Sequence, residues 1–145
     1  MPQAKQSLEN SVADPELCTE AEITAMVHAF YEHVRLDPQL GPIFNSKIHD
    51  WDQHLAKLVD FWSSLLRGTG RFSGTPMPKH IAMSGLSEAL FQRWLALFHE
   101  TTAEQANRAM AQLADTMAER IAQSLWYGYQ LKRHPDVSPK ELAHG

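Results

Sequence analysis

The sequence predicts an all-α, single-domain protein, and three observations carry that prediction. Apolar residues recur three and four positions apart over four long stretches. No segment alternates apolar and polar residues as a half-buried strand would, and capping signals stand where the periodic stretches begin. The length agrees, since 145 residues can bury one core and are too few for two.

Residues 1–18 are polar, carry Pro2 and Pro15 and show no sustained period, so they read as a flexible N-terminal tail. Thr19-x-x-Glu22 is a capping box, and Ile23, Met26, Val27, Phe30, Tyr31 and Val34 follow at helical spacing. Asp37-Pro38 ends that helix, and Leu40-Gly41-Pro42-Ile43-Phe44 reads as a short helical turn. From about His49 to Leu66, the residues Trp51, His54, Leu55, Leu58, Phe61, Trp62 and Leu65 fall in one stripe, with His54 inside it. Gly68, Gly70 and Gly74 with Pro76 and Pro78 make a long loop over 67–78, and Pro78 suits the first position of a very short helix carrying His80. Ser87 caps a helix to about Glu100, with Leu90, Phe91, Trp94, Leu95 and Phe98 on one side. Thr102-x-x-Gln105 reads as a second capping box that opens the longest helix, to about Lys132, with Met110, Leu113, Met117, Ile121 and Leu125 inward. Residues 134–145 read as a polar C-terminal tail, which leaves 19–133 as the folded domain.

Composition excludes several classes of function. Seventeen acidic residues against thirteen Lys and Arg give a net charge of −4 with no basic run, so a nucleic-acid partner is not expected. No apolar run approaches a bilayer span and the first eighteen residues lack the pattern of a secretion signal, so no membrane is expected and the location expected is cytoplasmic. The single cysteine, Cys18, rules out an internal disulfide and a multi-thiolate zinc site, and reads as an ordinary surface cysteine. A phosphate-binding Gly-rich loop and a Gly-x-Ser-x-Gly elbow are both missing, and His99-Glu100 lacks the second histidine of a zincin helix. His28 and His33, like His49 and His54, lie about 140° apart around a helix and cannot share a metal on one face.

Against that background His54 and His80 stand out: one lies on an aromatic-rich helical stripe, the other just after the turn Thr75-Pro76-Met77-Pro78-Lys79. Taken singly, His54 reads as a core or boundary histidine, His80 as a loop histidine, Tyr31 and Trp94 as core residues with polar tips, and Met77 and Met83 as gap fillers. Taken together they suit haem, a flat apolar disc with a charged edge. Haem needs apolar helices on both faces, one histidine on the iron and a few polar groups opposite it. With no Cys-x-x-Cys-His in the chain, such a haem is held non-covalently. A haem-free helical protein whose aromatic stripes are all core is the competing reading, and it predicts a stable apo fold.

Several strings in order resemble the truncated haemoglobins, and specifically group III. They are Phe30-Tyr31, Asp37-Pro38-x-Leu40-Gly41-Pro42-Ile43-Phe44, Trp51-x-x-His54, Phe61-Trp62, Gly74-x-Pro76 leading to His80, and Trp94-Leu95-x-Leu97-Phe98. The lack of a Gly-Gly pair agrees with that group. The resemblance implies a shortened, two-over-two globin sandwich around haem b, with His80 as the proximal iron ligand. It implies that His54 sits on the distal side as a gate or hydrogen-bond partner, and that Tyr31 and Trp94 line the distal pocket. The apolar wall expected for the cofactor is Phe44, Ile48, Leu55, Leu58, Phe61, Phe91, Ile121 and Leu125. Phe72 stands where some relatives carry a tyrosine, and Lys79 and Arg71 are candidate partners of the propionates.

The function implied is binding of O2, NO or CO at ferrous iron, serving NO dioxygenation and detoxification or a related redox or peroxidase-like reaction with electrons from a reductase. Reversible O2 storage, or ligand sensing without turnover, is the alternative. A monomer or weak dimer is expected.

Overall fold

The computed structural model describes residues 13–72 and 86–143. Five helices are found among the described residues, with no strand: α1 (Glu20–Leu36), α2 (Gly41–Lys47), α3 (Trp51–Arg67), α4 (Glu88–Ala103) and α5 (Arg108–Arg133). The pair α1–α3 lies on the pair α4–α5, with α1 packed on α4 and α3 on α5, and the short α2 abuts α1. This is the two-over-two arrangement, and its core runs between the pairs.

The Thr19 capping box forms as expected: Glu22 N–H donates to Thr19 Oγ1 at 3.1 Å and Thr19 N–H to Glu22 Oε1 at 2.9 Å. Ile23, Met26, Val27, Phe30, Tyr31 and Val34, the inward residues of α1, are all buried. Asp50 and Ser87 cap α3 and α4 by accepting from Gln53 and Leu90 N–H. Gly68, at φ 69°, adopts the left-handed conformation that closes α3, where a side chain would be strained.

Three expectations need correction. The longest helix opens later than Thr102-x-x-Gln105 suggests: its cap is Asn107, whose Oδ1 accepts from Met110 N–H at 3.0 Å. Thr102 belongs instead to the final turn of α4, where it is buried and caps nothing. Its hydroxyl donates to Asp115 Oδ1 at 2.7 Å, a tertiary bond that spacing alone cannot announce. Cys18 is buried, not on the surface. Burial, and after it the nearby Glu22 carboxylate, raises the Cys18 thiol above its ordinary range, so little thiolate forms at neutral pH. The two tails, finally, are docked over the stretches described. Asp14 N–H donates to Leu66 O at 2.9 Å and Leu17 packs on the core, so residues 13–18 lie against the helices instead of hanging free. The C-terminal residues do the same, with Leu142 buried.

The long α5 packs on α4, and its Ala111, Ala114, Ala118 and Ala122 are all buried, small side chains that permit close helix approach. Where α2 meets α1 the approach is closer still: a Cβ at Gly41 would lie 2.6 Å from Arg35 O. Gly41→Ala is therefore expected to cost about 1–3 kcal/mol. A urea titration would read this as a lowered midpoint with unchanged slope, and an unchanged midpoint would mean that α2 moves off α1 without penalty.

Candidate functional site

An aromatic ladder crosses the core and ends at the candidate site. Trp62 of α3 stacks on Phe98 at 5.2 Å, and Phe98 stacks on Trp94 at 5.7 Å, both from α4. Phe30 of α1 meets Trp94 and Phe98 edge-on at 5.3 and 4.9 Å, and Tyr31 at 4.7 Å. These contacts fix the height of α1 against α4, and with it the separation of Tyr31 and Trp94.

Around Tyr31 the structure gathers Phe44, Trp51 and His54, with ring centroids 6.1, 6.1 and 6.2 Å from the phenol. The Trp51 and His54 rings are themselves perpendicular at 5.7 Å, one helical turn apart on α3. Burial pushes the Tyr31 phenol far above its ordinary range, and a hydrogen bond with the Trp94 side chain offsets part of that. Of that pair only the indole N–H can act as donor to the phenol oxygen. The phenol O–H thus stays protonated, with its own hydrogen available to an acceptor. Tyr31, His54 and Trp94, expected together on one side, are brought together through this cluster.

Spacing alone left two contributors unassigned. Trp51 packs on both Tyr31 and His54, and Arg35 places its guanidinium 4.6 Å from the centre of the Trp51 ring. The signal for Trp51 was its position three residues before His54 on the same stripe; nothing in the sequence pointed to Arg35.

The apolar wall tests whether haem suits these residues. Of the α3 stripe only Trp62 is buried; Trp51, Leu55, Leu58, Phe61 and Leu65 are half-buried, as are Phe44 and Ile48 on α2 and its cap. A strongly amphipathic helix that leaves so many large apolar side chains partly uncovered is short of an apolar neighbour. Trp94 and Leu95 of α4 and Ile121 of α5 are half-buried as well, packed against the same core. A flat apolar group would cover these side chains, so the residues fit haem.

The remaining expected residues are placed as follows. Phe91 and Leu125 are buried in a second apolar cluster with Ala122 and Leu142, which shares Trp94, Leu95 and Ile121 with the main core. Phe72 packs edge-on against Phe61 at 5.1 Å, and its N–H donates to Ser64 Oγ at 2.9 Å. Arg71 pairs with Glu20 at 2.9 Å, and the same carboxylate also takes Arg67, so the three side chains together keep one positive charge. His80, Lys79, Met77, Met83 and the short helix expected from Pro78 lie outside the described residues. No group of three or more metal-ligating side chains occurs among the described residues. Nor is any helix there long and apolar enough to cross a membrane.

A two-over-two helical frame with a buried phenol, an indole donor and an imidazole beside an uncovered apolar wall is the architecture of a globin. Residues 16–125 match the bacterial-like globin family. The chain is 35% identical over 121 residues to the group 3 truncated hemoglobin of Campylobacter jejuni, covering 79% of this chain and 95% of that protein. It also matches the crystal structure of the group III truncated hemoglobin from Campylobacter jejuni with a TM-score of 0.63 and 33% identity, over 75% of this chain and 92% of that one. The chain belongs to the group III truncated haemoglobins. As a globin it is a haem protein that binds diatomic gases.

Proposed function

We propose that the chain holds haem b non-covalently, with His80 as the iron ligand, and that its distal residues serve NO dioxygenation or related redox chemistry. The observation that carries this is the buried, protonated Tyr31 hydroxyl, held by Trp94 and facing His54 beside an uncovered apolar wall. Haem, when bound, supplies the iron at which O2, NO or CO is held and through which electrons pass. Leu55, Leu58, Phe61, Phe44, Ile48, Phe72, Phe91 and Ile121 are the residues that would enclose it, with Lys79 and the half-exposed Arg71 as the cations for its propionates.

The chain's own contribution is polarity placed among aromatic rings. Tyr31 donates a hydrogen bond toward the ligand side and Trp94 helps to orient that hydrogen, while burial of the phenol strengthens its bond. Such donors retain a ligand that carries partial negative charge, which suits a reaction in which O2 must wait for NO more than it suits rapid O2 release. One NO, one O2 and one electron give one nitrate, so sustained turnover calls for a reductase.

The test is the visible spectrum of protein from haem-supplemented cells, oxidised, reduced and with CO, beside His80→Ala, followed by stopped-flow mixing of the oxygenated protein with NO. A Soret band that shifts with CO and is lost or altered in His80→Ala, then fast stoichiometric nitrate, supports the reading. A spectrum that supports haem but a slow, nitrate-free reaction with NO would turn it toward reversible O2 binding. A colourless protein that takes up no haemin would overturn the assignment of haem itself.

A further inference from the structure

Beyond the end of α5 the chain turns back and lies across the second apolar cluster. Five hydrogen bonds hold it there, and every one joins a helix side chain to the backbone of Lys140, Leu142 or Ala143. Gln130 of α5 takes Lys140 by both groups, accepting from its N–H at 3.0 Å and donating to its carbonyl at 2.8 Å. Gln123 accepts from Leu142 N–H at 2.6 Å. On α4, Glu88 accepts from Ala143 N–H at 2.8 Å and Gln92 donates to Ala143 O at 2.7 Å. One side chain is buried: Leu142, 5% exposed, seated with Phe91, Ala122 and Leu125 beside Trp126 and Tyr129.

That cluster backs onto the cofactor wall, for it shares Trp94, Leu95 and Ile121 with the main core, and Phe91 is one of the residues assigned to the wall. The strap also grips the first turn of α4, eight residues after His80. The family match covers residues 16–125, and Gln130 and the strap follow it.

We infer that Lys140–Ala143 is a detachable strap that closes the α4–α5 side of the haem cavity, with Leu142 as its plug, and that strap opening governs cofactor loss. The inference rests on the haem reading above. Three features set the strap to open separately from the helices. It has one apolar anchor; Lys140 and Ala143 are exposed along with their bonds; and the closed state leaves Trp126 Nε1 buried with no acceptor among the described residues. Opening hydrates that indole N–H and loosens the packing behind Phe91, which stands 5.6 Å from the Trp126 ring.

The experiment is haemin transfer from the full-length protein to an excess of a haem-scavenging apo-globin, comparing the parent, Leu142→Ser and Leu142→Met, with the thermal midpoint of each haem-free form. The strap predicts at least tenfold faster transfer from Leu142→Ser, near-parent transfer from Leu142→Met, which keeps the plug, and haem-free midpoints within a few degrees of one another. A parent that holds haemin and a Leu142→Ser variant that loses it at the same rate would overturn the strap alone. Faster loss matched by a collapse of the haem-free midpoint would reduce Leu142 to ordinary core and overturn it too. A parent that takes up no haemin would overturn both this inference and the haem reading.

Discussion

Oxygen is expected to leave Tyr31→Phe about ten times faster than it leaves the parent protein, because one hydrogen bond worth about 1–1.5 kcal/mol is lost. Phenylalanine keeps the ring that Phe30 and Phe44 pack against, so the change isolates the hydroxyl. Trp94→Phe should act partly through the same hydroxyl, since the indole N–H is what directs it. The two substitutions are therefore expected to be less than additive, and the double variant to reach at most about two decades. Displacement of O2 by CO in a stopped-flow instrument measures all three rates. Parent-like rates in Tyr31→Phe would remove the phenol from ligand retention, and strict additivity would mean that the two donors act independently.

The helical frame was legible because each helix repeats one simple rule over many residues. All six inward positions expected for α1 are buried, and the caps at Thr19 and Ser87 stand where their side chains demand. The opening of α5 misled because Thr102 and Gln105 have the spacing of a capping box while Thr102's hydroxyl is spent on Asp115, thirteen residues away. Cys18 and Leu142 misled for a related reason. Segments without a period look like tails, and what docks them is tertiary: Leu66 O receiving Asp14 N–H at one end, and glutamine side chains reaching for bare backbone at the other. At the site, Tyr31, His54 and Trp94 were singled out through the family resemblance, and the structure sets the Tyr31 and His54 rings 6.2 Å apart. Arg35 was not, because a guanidinium over an indole depends on how α1 faces α3, which no single segment encodes.

Replacing Asp37 by alanine is expected to lower stability by about 3 kcal/mol and the thermal midpoint by about 10 °C. The Asp37 carboxylate exposes only 2% of its side chain. Its Oδ1 accepts from Arg93 Nε and Nη2 at 2.8 and 2.6 Å, while Oδ2 accepts from Gln39 and Leu40 N–H at 3.0 and 2.9 Å. Alanine leaves the two backbone donors unmatched where α1 turns into α2, and it leaves Arg93 without its anion. Arg93 is 41% exposed and can rehydrate, which keeps the expected cost at the low end for a broken buried pair. Burial works to raise the Asp37 carboxyl, but the Arg93 guanidinium and the two N–H donors outweigh it, and the net shift is downward. Folding therefore favours the ionised form. The stabilisation is complete above the unfolded-state value, about pH 4, and drains away as pH falls toward the lower folded-state value. Because Arg93 directly precedes Trp94, and Asp37 closes the helix that carries Tyr31, this one pair ties together the two helices that carry Tyr31 and Trp94. Thermal midpoints measured from pH 7 to pH 3 should converge for parent and Asp37→Ala as the pH falls. Curves that stay parallel would place the acid sensitivity in the other carboxyls lowered on folding: Glu20, its burial outweighed by Ser63, Arg67 and Arg71, and Glu22, held by the Thr19 N–H and Asn107.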